Sequence, residues 1–147
     1  MIFYLTSNTI PDISFAVHQC GRFSNNTKTS HKTTMKNICR YLPGTKYNSI
    51  VFNPSNKIEV DCYADADFEG LWRHKDPQDL MCARSTTGFV LTFANCPLLW
   101  VSKIQTDIAL STLHSGYVSL SHSVRSLLPL KSLIKKVIYN LGIDGES

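Results

Sequence analysis

The run Ile58-Glu59-Val60-Asp61-Cys62-Tyr63 alternates apolar and polar residues, then continues into Ala64-Asp65-Ala66-Asp67-Phe68-Glu69-Gly70. A helix would scatter these carboxylates around a cylinder. A period of two instead collects Asp65, Asp67 and Glu69 on one face of an extended segment. The middle of the chain therefore reads as a strand, which needs a sheet to join. Carboxylates gathered at a strand end offer oxygen ligands to a hard cation. Three readings stay open. An EF-hand loop would use Asp65, Asp67, Glu69, Gly70 and Asp76 at loop positions 1, 3, 5, 6 and 12, but it needs flanking helices and normally a Glu at the last position. A two-metal nuclease site would take Asp65 from the strand and further carboxylates from elsewhere. The third reading is an acidic strand end that simply meets water.

The segments on either side of this strand follow other periods. Pro11-Asp12 opens a helix carrying Ile13, Ala16, Val17 and Cys20 at helical spacing, and Ser24-Asn25-Asn26-Thr27 ends it. A second helix is expected from an N-cap at Ser30, with Met35, Ile38, Cys39 and Leu42 inward and Pro43-Gly44 as the stop. Strands are expected over Ser49–Phe52, Lys57–Ala64, Thr86–Phe93 and Leu98–Ser102, the last two joined by a turn at Asn95-Cys96-Pro97. From Leu110 the spacing turns helical. Tyr117, Leu120, Val124, Leu127 and Leu128 are spaced for one helix, Pro129 marks the start of another, and Leu133, Ile134, Val137, Ile138 and Leu141 form a second stripe ending at Gly142. Trp72 and Trp100 read as core packing.

A length of 147 residues, 43% hydrophobic and 18% charged, suits one domain with a real core and excludes wholesale disorder. The net charge of +4 is unevenly placed. No Asp or Glu occurs from Ile13 to Ile58, while Arg22, Lys28, Lys32, Lys36, Arg40, Lys46 and Lys57 do. Lys32, Lys36 and Arg40 lie four apart on one face of the second helix, suited to phosphates or simply to water, and Lys28 just before that helix joins them as a nucleic-acid-binding candidate. Lys103, after a strand, is a further candidate for backbone contact with nucleic acid. Cys20, Cys39, Cys62, Cys82 and Cys96 form no CxxC pair and read as buried thiols of a reducing compartment. The start Met1-Ile2-Phe3-Tyr4-Leu5 has neither a basic leader nor a membrane-length apolar run. No RxLR tetrapeptide occurs. An intracellular product with no membrane partner is the expectation. Ser111, Thr112, Ser119–Ser123 and His122 supply hydroxyls and an imidazole but no GxSxG elbow, and no glycine-rich phosphate loop is present.

Six blocks in order carry a family resemblance. Tyr4-Leu5-Thr6 with Ile10-Pro11-Asp12-Ile13-Ser14-Phe15-Ala16-Val17 resembles "YLT…RPDI.FAV", and His31 with Arg40-Tyr41-Leu42-Pro43-Gly44-Thr45 resembles "H…RYLKGT". Tyr63 to Gly70 resembles "YSDADWAG", and Ser85-Thr86-Thr87-Gly88-Phe89 resembles "STSGY". Trp100 to Gln105 resembles "W.SKKQ", and Ala109 to Tyr117 resembles "A.STTEAEY". The chain thus resembles the end of the reverse transcriptase and the start of the ribonuclease H domain in Pol polyproteins of Ty1/copia-type retrotransposons.

That resemblance implies an α/β fold. Helices left from the reverse-transcriptase connection would occupy residues 1–46, and a truncated ribonuclease H-like domain with a mixed sheet and packed helices would occupy 47–147. It implies an ancestral enzyme that cuts the RNA strand of an RNA–DNA hybrid with two Mg²⁺ ions. The first catalytic Asp falls on Asp65, with Asp67 as a weak further ligand. The catalytic Glu falls on Gly116 and the first acid of its motif on His114, and the next catalytic Asp would follow Ser147. The expectation is a degenerate Pol fragment that is catalytically inactive, has no working cofactor and retains weak nucleic-acid binding, with RNA–DNA hybrid and other Pol chains as partners. Two alternatives remain: a ribonuclease H component completed by other segments, and a co-opted interaction or effector protein.

Overall fold

A computed structural model describes residues 2–25, 27–68 and 83–142. Glu69, Gly70, Trp72, Asp76 and Cys82, which entered the sequence reading, lie outside the described residues. The element order is α1 (Ile2–Asn8), a single 3-10 turn (Pro11–Ile13), α2 (Ser14–Arg22), α3 (Thr29–Gly44), β1 (Val60–Asp67), β2 (Thr86–Phe93), β3 (Cys96–Ile104) and α4 (Thr112–Asn140). The α/β class holds, as a partial ribonuclease H-like arrangement. The described sheet is wholly antiparallel, in the order β1-β2-β3, rather than mixed.

Helices cover both faces of this sheet. On one, the Trp100 indole N–H donates to the Thr6 carbonyl at 2.7 Å, and Arg22 donates to the Arg84 carbonyl at 2.9 Å and to Thr86 Oγ1 at 3.1 Å. Ile13, Val17 and Ile38 form the buried cluster on that side, with Met35 and Leu42 of α3 packed against it. Gly21 permits close approach there: a Cβ would stand 2.8 Å from the Phe3 ring. On the other face α4 lies across β1 and β2, and its buried residues are Ser115, Ser119 and Ser123.

Four local expectations need correction. Ser49–Phe52 is not a strand; Val51 and Phe52 are exposed in a coil, unpaired with any strand among the described residues. β1 starts at Val60, so Asp65 and Asp67 lie within it rather than beyond it. The hairpin turn is Ala94-Asn95, one residue earlier than expected. Both residues have positive φ (49° and 66°), the geometry of a two-residue turn whose twist suits the strands. Cys96 and Pro97 then begin β3, an edge strand that tolerates the missing N–H, with Leu98 bulged between the pairs Leu91–Leu99 and Thr92–Pro97. Finally, α4 runs unbroken through Pro129. Proline's fixed φ is helical, and the carbonyl left without a donor, that of exposed Arg125, can face water.

Candidate functional site

Asp65 pairs with Gly88 and Asp67 with Thr86 in the β1–β2 register. Both acids are exposed. The pleat puts Asp61, Tyr63, Asp65 and Asp67 on the face away from α4, because alternate positions of β1 are the more buried ones. Asp65 is engaged twice: its Oδ1 accepts the Ala66 N–H at 2.8 Å, and its carbonyl accepts Ser119 Oγ–H at 2.6 Å. A cleft of about 390 Å³ opens beside Asp65, with Phe15, Tyr63, Val90 and Trp100 in its walls. A strand flanking Asp65 and Asp67 removes the EF-hand reading, which requires a helix before the first ligand.

The start of α4 is fixed by a reciprocal cap. Ser111 Oγ accepts the His114 N–H at 3.1 Å, and His114 Nδ1 accepts the Leu110 N–H at 3.3 Å. The N-cap hydroxyl thus meets the N3 amide, while the N3 imidazole takes the N–H of the residue before the cap, a variant of the capping box in which the N-cap N–H itself would be bound. α3 opens similarly, the Lys28 N–H donating to His31 Nδ1 at 3.1 Å while His31 stacks on Phe23 at 4.5 Å between centroids. Two turns of α4 then approach the sheet through serines. Ser115 and Ser123 satisfy their hydroxyls on Thr112 and Leu120 carbonyls of their own helix. Ser119 reaches across to Asp65 and, at 3.3 Å, to the Gly88 carbonyl. Buried Gln105 binds Thr87 Oγ1 at 3.0 Å and the Ser115 carbonyl at 2.9 Å. Sequence reasoning weighed Ser119 and Ser123 only as hydroxyls without a nucleophile elbow and gave Ser115 no role. Their spacing of four was the available signal, since it marks one helix face of small residues.

Gly116 is exposed on α4, and a Cβ there would meet nothing within 4 Å. Lys32, Lys36 and Arg40 are exposed along α3, and Lys28, the N-cap of that helix, is exposed just before it. Lys103, opposite Thr87 on β3, is exposed on the α4 side of the sheet, so the structure does not join it to the α3 row. Tyr41 of α3 donates to the Asp12 carboxylate, and that hydrogen bond, more than burial, raises the phenol's pKa.

Known proteins place this arrangement. Over 136 residues the chain is 32% identical to the Retrovirus-related Pol polyprotein from transposon TNT 1-94 of Nicotiana tabacum, covering 92% of the chain and 10% of that protein. Over 129 residues it is 30% identical to the Pol polyprotein from transposon RE1 of Arabidopsis thaliana, covering 88% of the chain and 8% of the relative. The chain belongs to the Ty1/copia-type Pol lineage. It spans about a tenth of the length of these two relatives. It is also 29% identical over 124 residues to Secreted RxLR effector protein 161 of Plasmopara viticola, covering 84% of the chain and 82% of that protein. No family model matches, and no solved structure matches.

For a Pol-lineage chain, the question at β1 is whether its donors suit paired Mg²⁺. Asp65 and Asp67 sit two apart on one strand, Asp65 already takes an N–H, and position 116 supplies no side-chain oxygen. Among the described residues no three His, Cys, Asp or Glu side chains converge. Two ions about 4 Å apart need carboxylates from several directions, so the donors among the described residues do not by themselves fit them. No helix among the described residues is long and apolar enough to cross a membrane.

Proposed function

We propose that this Pol-derived chain is a ribonuclease H-like module that binds nucleic acid inside the cell without cutting it. The observation carrying the first half is the α3 row: Lys28, Lys32, Lys36 and Arg40 are exposed one turn apart, in a stretch free of Asp and Glu. Such a row follows a phosphate backbone and reads no bases, so RNA–DNA hybrid and other duplexes are its expected ligands, with other Pol chains as further partners. Glycine at position 116, where the family motif has its catalytic Glu, supports the second half. A site short of metal-placing carboxylates loses several kcal/mol of transition-state stabilisation, about tenfold in rate for each 1.36 kcal/mol.

Titration of a labelled RNA–DNA hybrid at stepped salt tests the binding. Four phosphate contacts predict affinity falling with a log–log slope of about −3 to −4. Lys32→Glu with Lys36→Glu should weaken binding at least about tenfold at low salt; a flat salt response removes the reading. The same hybrid incubated with Mg²⁺ or Mn²⁺ should stay intact, with the chain and its Asp65→Asn variant indistinguishable. Asp65-dependent cleavage overturns the inactive assignment in favour of the ribonuclease.

A second reading, a secreted interaction protein, is favoured by one observation: the effector relative is matched over 82% of its own length. Detection of the protein outside its producing cell would select that reading.

A further inference from the structure

The cleft beside Asp65 is shaped by a side chain that the middle strand lacks. On the face away from α4, the register sets two cross-strand rows side by side, Asp65–Gly88–Ser102 and Tyr63–Val90–Trp100. Gly88 puts nothing in the middle of the first row, and a Cβ there would meet only the Asp65 carbonyl, at 4.0 Å. That bare position opens a hollow of about 390 Å³, a volume typical of small-molecule sites. α2 adds Phe15 to its lining. Phe15 and Tyr63 are 52% and 64% exposed, so rings from two different elements meet water at one concave place. Trp100 is held in position there. Its indole N–H donates to the Thr6 carbonyl at 2.7 Å, which leaves the cleft an aromatic body without a free donor.

The sign of the ligand follows from the charges around the cleft. Asp65 is the one charged residue in the described lining. Its Oδ1 takes the Ala66 N–H at 2.8 Å, and no group among the described residues takes its Oδ2. Asp61 and Asp67 share its face of β1 and are exposed, so the local field is negative and repels phosphate or carboxylate ligands. Aromatic walls attract a cation through the ring quadrupole, Trp and Tyr more than Phe, and most where water is displaced. A metal ion would need further oxygen ligands, which these walls do not offer. An alkylated ammonium needs none, because its charge is spread beneath apolar groups. We propose that this cleft binds a small organic cation, a quaternary or otherwise alkylated ammonium, with its head beside Asp65 and the aromatic side chains. The site uses nothing of the basic row on α3 and does not depend on nucleic-acid binding.

Choline is the probe, compared with the neutral alcohol in which carbon replaces its quaternary nitrogen and with AMP as an anion. Titrated into the isotope-labelled full chain, choline should shift the Gly88 amide and Trp100 indole N–H signals saturably in the millimolar range. The neutral alcohol should bind about tenfold more weakly, and AMP should leave both signals in place. Asp65→Asn keeps the shape of the cleft and removes its charge. It should cut the advantage of choline by about threefold while leaving the alcohol's affinity unchanged, a difference that misfolding would not produce. Gly88→Val should fill the hollow and abolish the response to both probes with the circular dichroism of the chain unchanged, since the space there is open. Equal affinity for choline and the alcohol overturns the proposal, as does an advantage that survives Asp65→Asn intact. Displacement of choline by AMP, or the absence of saturable shifts from choline in the millimolar range, overturns it as well.

Discussion

The two faces of the sheet are held by opposite chemistry. On one, Ile13, Val17 and Ile38 exclude water with Met35 and Leu42 around them, the ordinary economy of apolar surface. On the other, α4 meets β1 and β2 through Ser115, Ser119 and Ser123, with Gln105 bonded between a strand and the helix. The apolar side gains stability from area. The serine side gains little from area and depends on close approach. There the three serine hydroxyls and the Gln105 amide N–H groups find partners, while Gln105 Oε1 is buried without one among the described residues. A helix can therefore lie flat on a sheet with its larger apolar residues turned outward.

The largest expected effect tests the apolar side. Ile38 is 5% exposed, and Ile38→Ala should cost about 2–5 kcal/mol by lost transfer energy and a residual cavity. Urea unfolding would show a lower midpoint at similar slope. A loss below about 1 kcal/mol would mean that the N-terminal helices contribute little to the cooperative unit.

The serine side answers to shape and then to hydrogen bonding. Ser119 is 1% exposed between α4 and two strand carbonyls. Ser119→Leu should destabilise by about 1–3 kcal/mol through overpacking. Ser119→Ala should cost about 1 kcal/mol through loss of the bond to the Asp65 carbonyl. If Ser119→Leu instead raised the urea midpoint, the interface would have room for a conventional apolar contact, and the contrast between the faces would collapse.

This contrast also explains which parts of the fold were legible in the sequence. Period and composition located α2, α3, β2 and the helical character of α4, because backbone geometry imposes those periods whatever the helix packs against. They did not tell which side of α4 meets the sheet. Tyr117, Leu120 and Val124 carry the helical spacing, yet all are exposed, and the buried face belongs to serines. Similarly, Cys39 was read as a buried thiol but is exposed, since α3 packs on α2 through Ile38 with Met35 and Leu42 beside it. At the candidate site the sequence identified Asp65, Asp67 and the missing acid at 116, which are matters of identity. It could not supply the pleat that turns Asp65 away from α4, nor the cap that occupies His114.

Position 116 offers a smaller test on the same helix. Gly116 is exposed with open space around its Cα, so it contributes conformational freedom to the unfolded chain without serving packing. Gly116→Ala should stabilise by about 0.5–1 kcal/mol. An unchanged or lowered midpoint would show that α4 is not continuous there in solution, and the serine contacts one turn later would be in doubt.

The smallest effect belongs to the apolar side and depends on pH. His18 of α2 packs edge-on against Phe3 of α1, 5.2 Å between ring centroids. Burial pushes its pKa below the usual 6.5, because the charged ring would lose hydration that Phe3 cannot replace. The unfolded chain then holds more protons than the folded one at mildly acidic pH, so stability rises with pH. This contribution is complete above the unfolded value of 6.5 and is lost as pH falls through it towards the lower folded value. His18→Gln should flatten that part of the stability curve between about pH 7.5 and 5.5 while leaving the Ser119 variants' differences unchanged with pH. A His18→Gln chain with the parent's full acid sensitivity would place the titrating group elsewhere and remove the one pH-dependent distinction between the two faces.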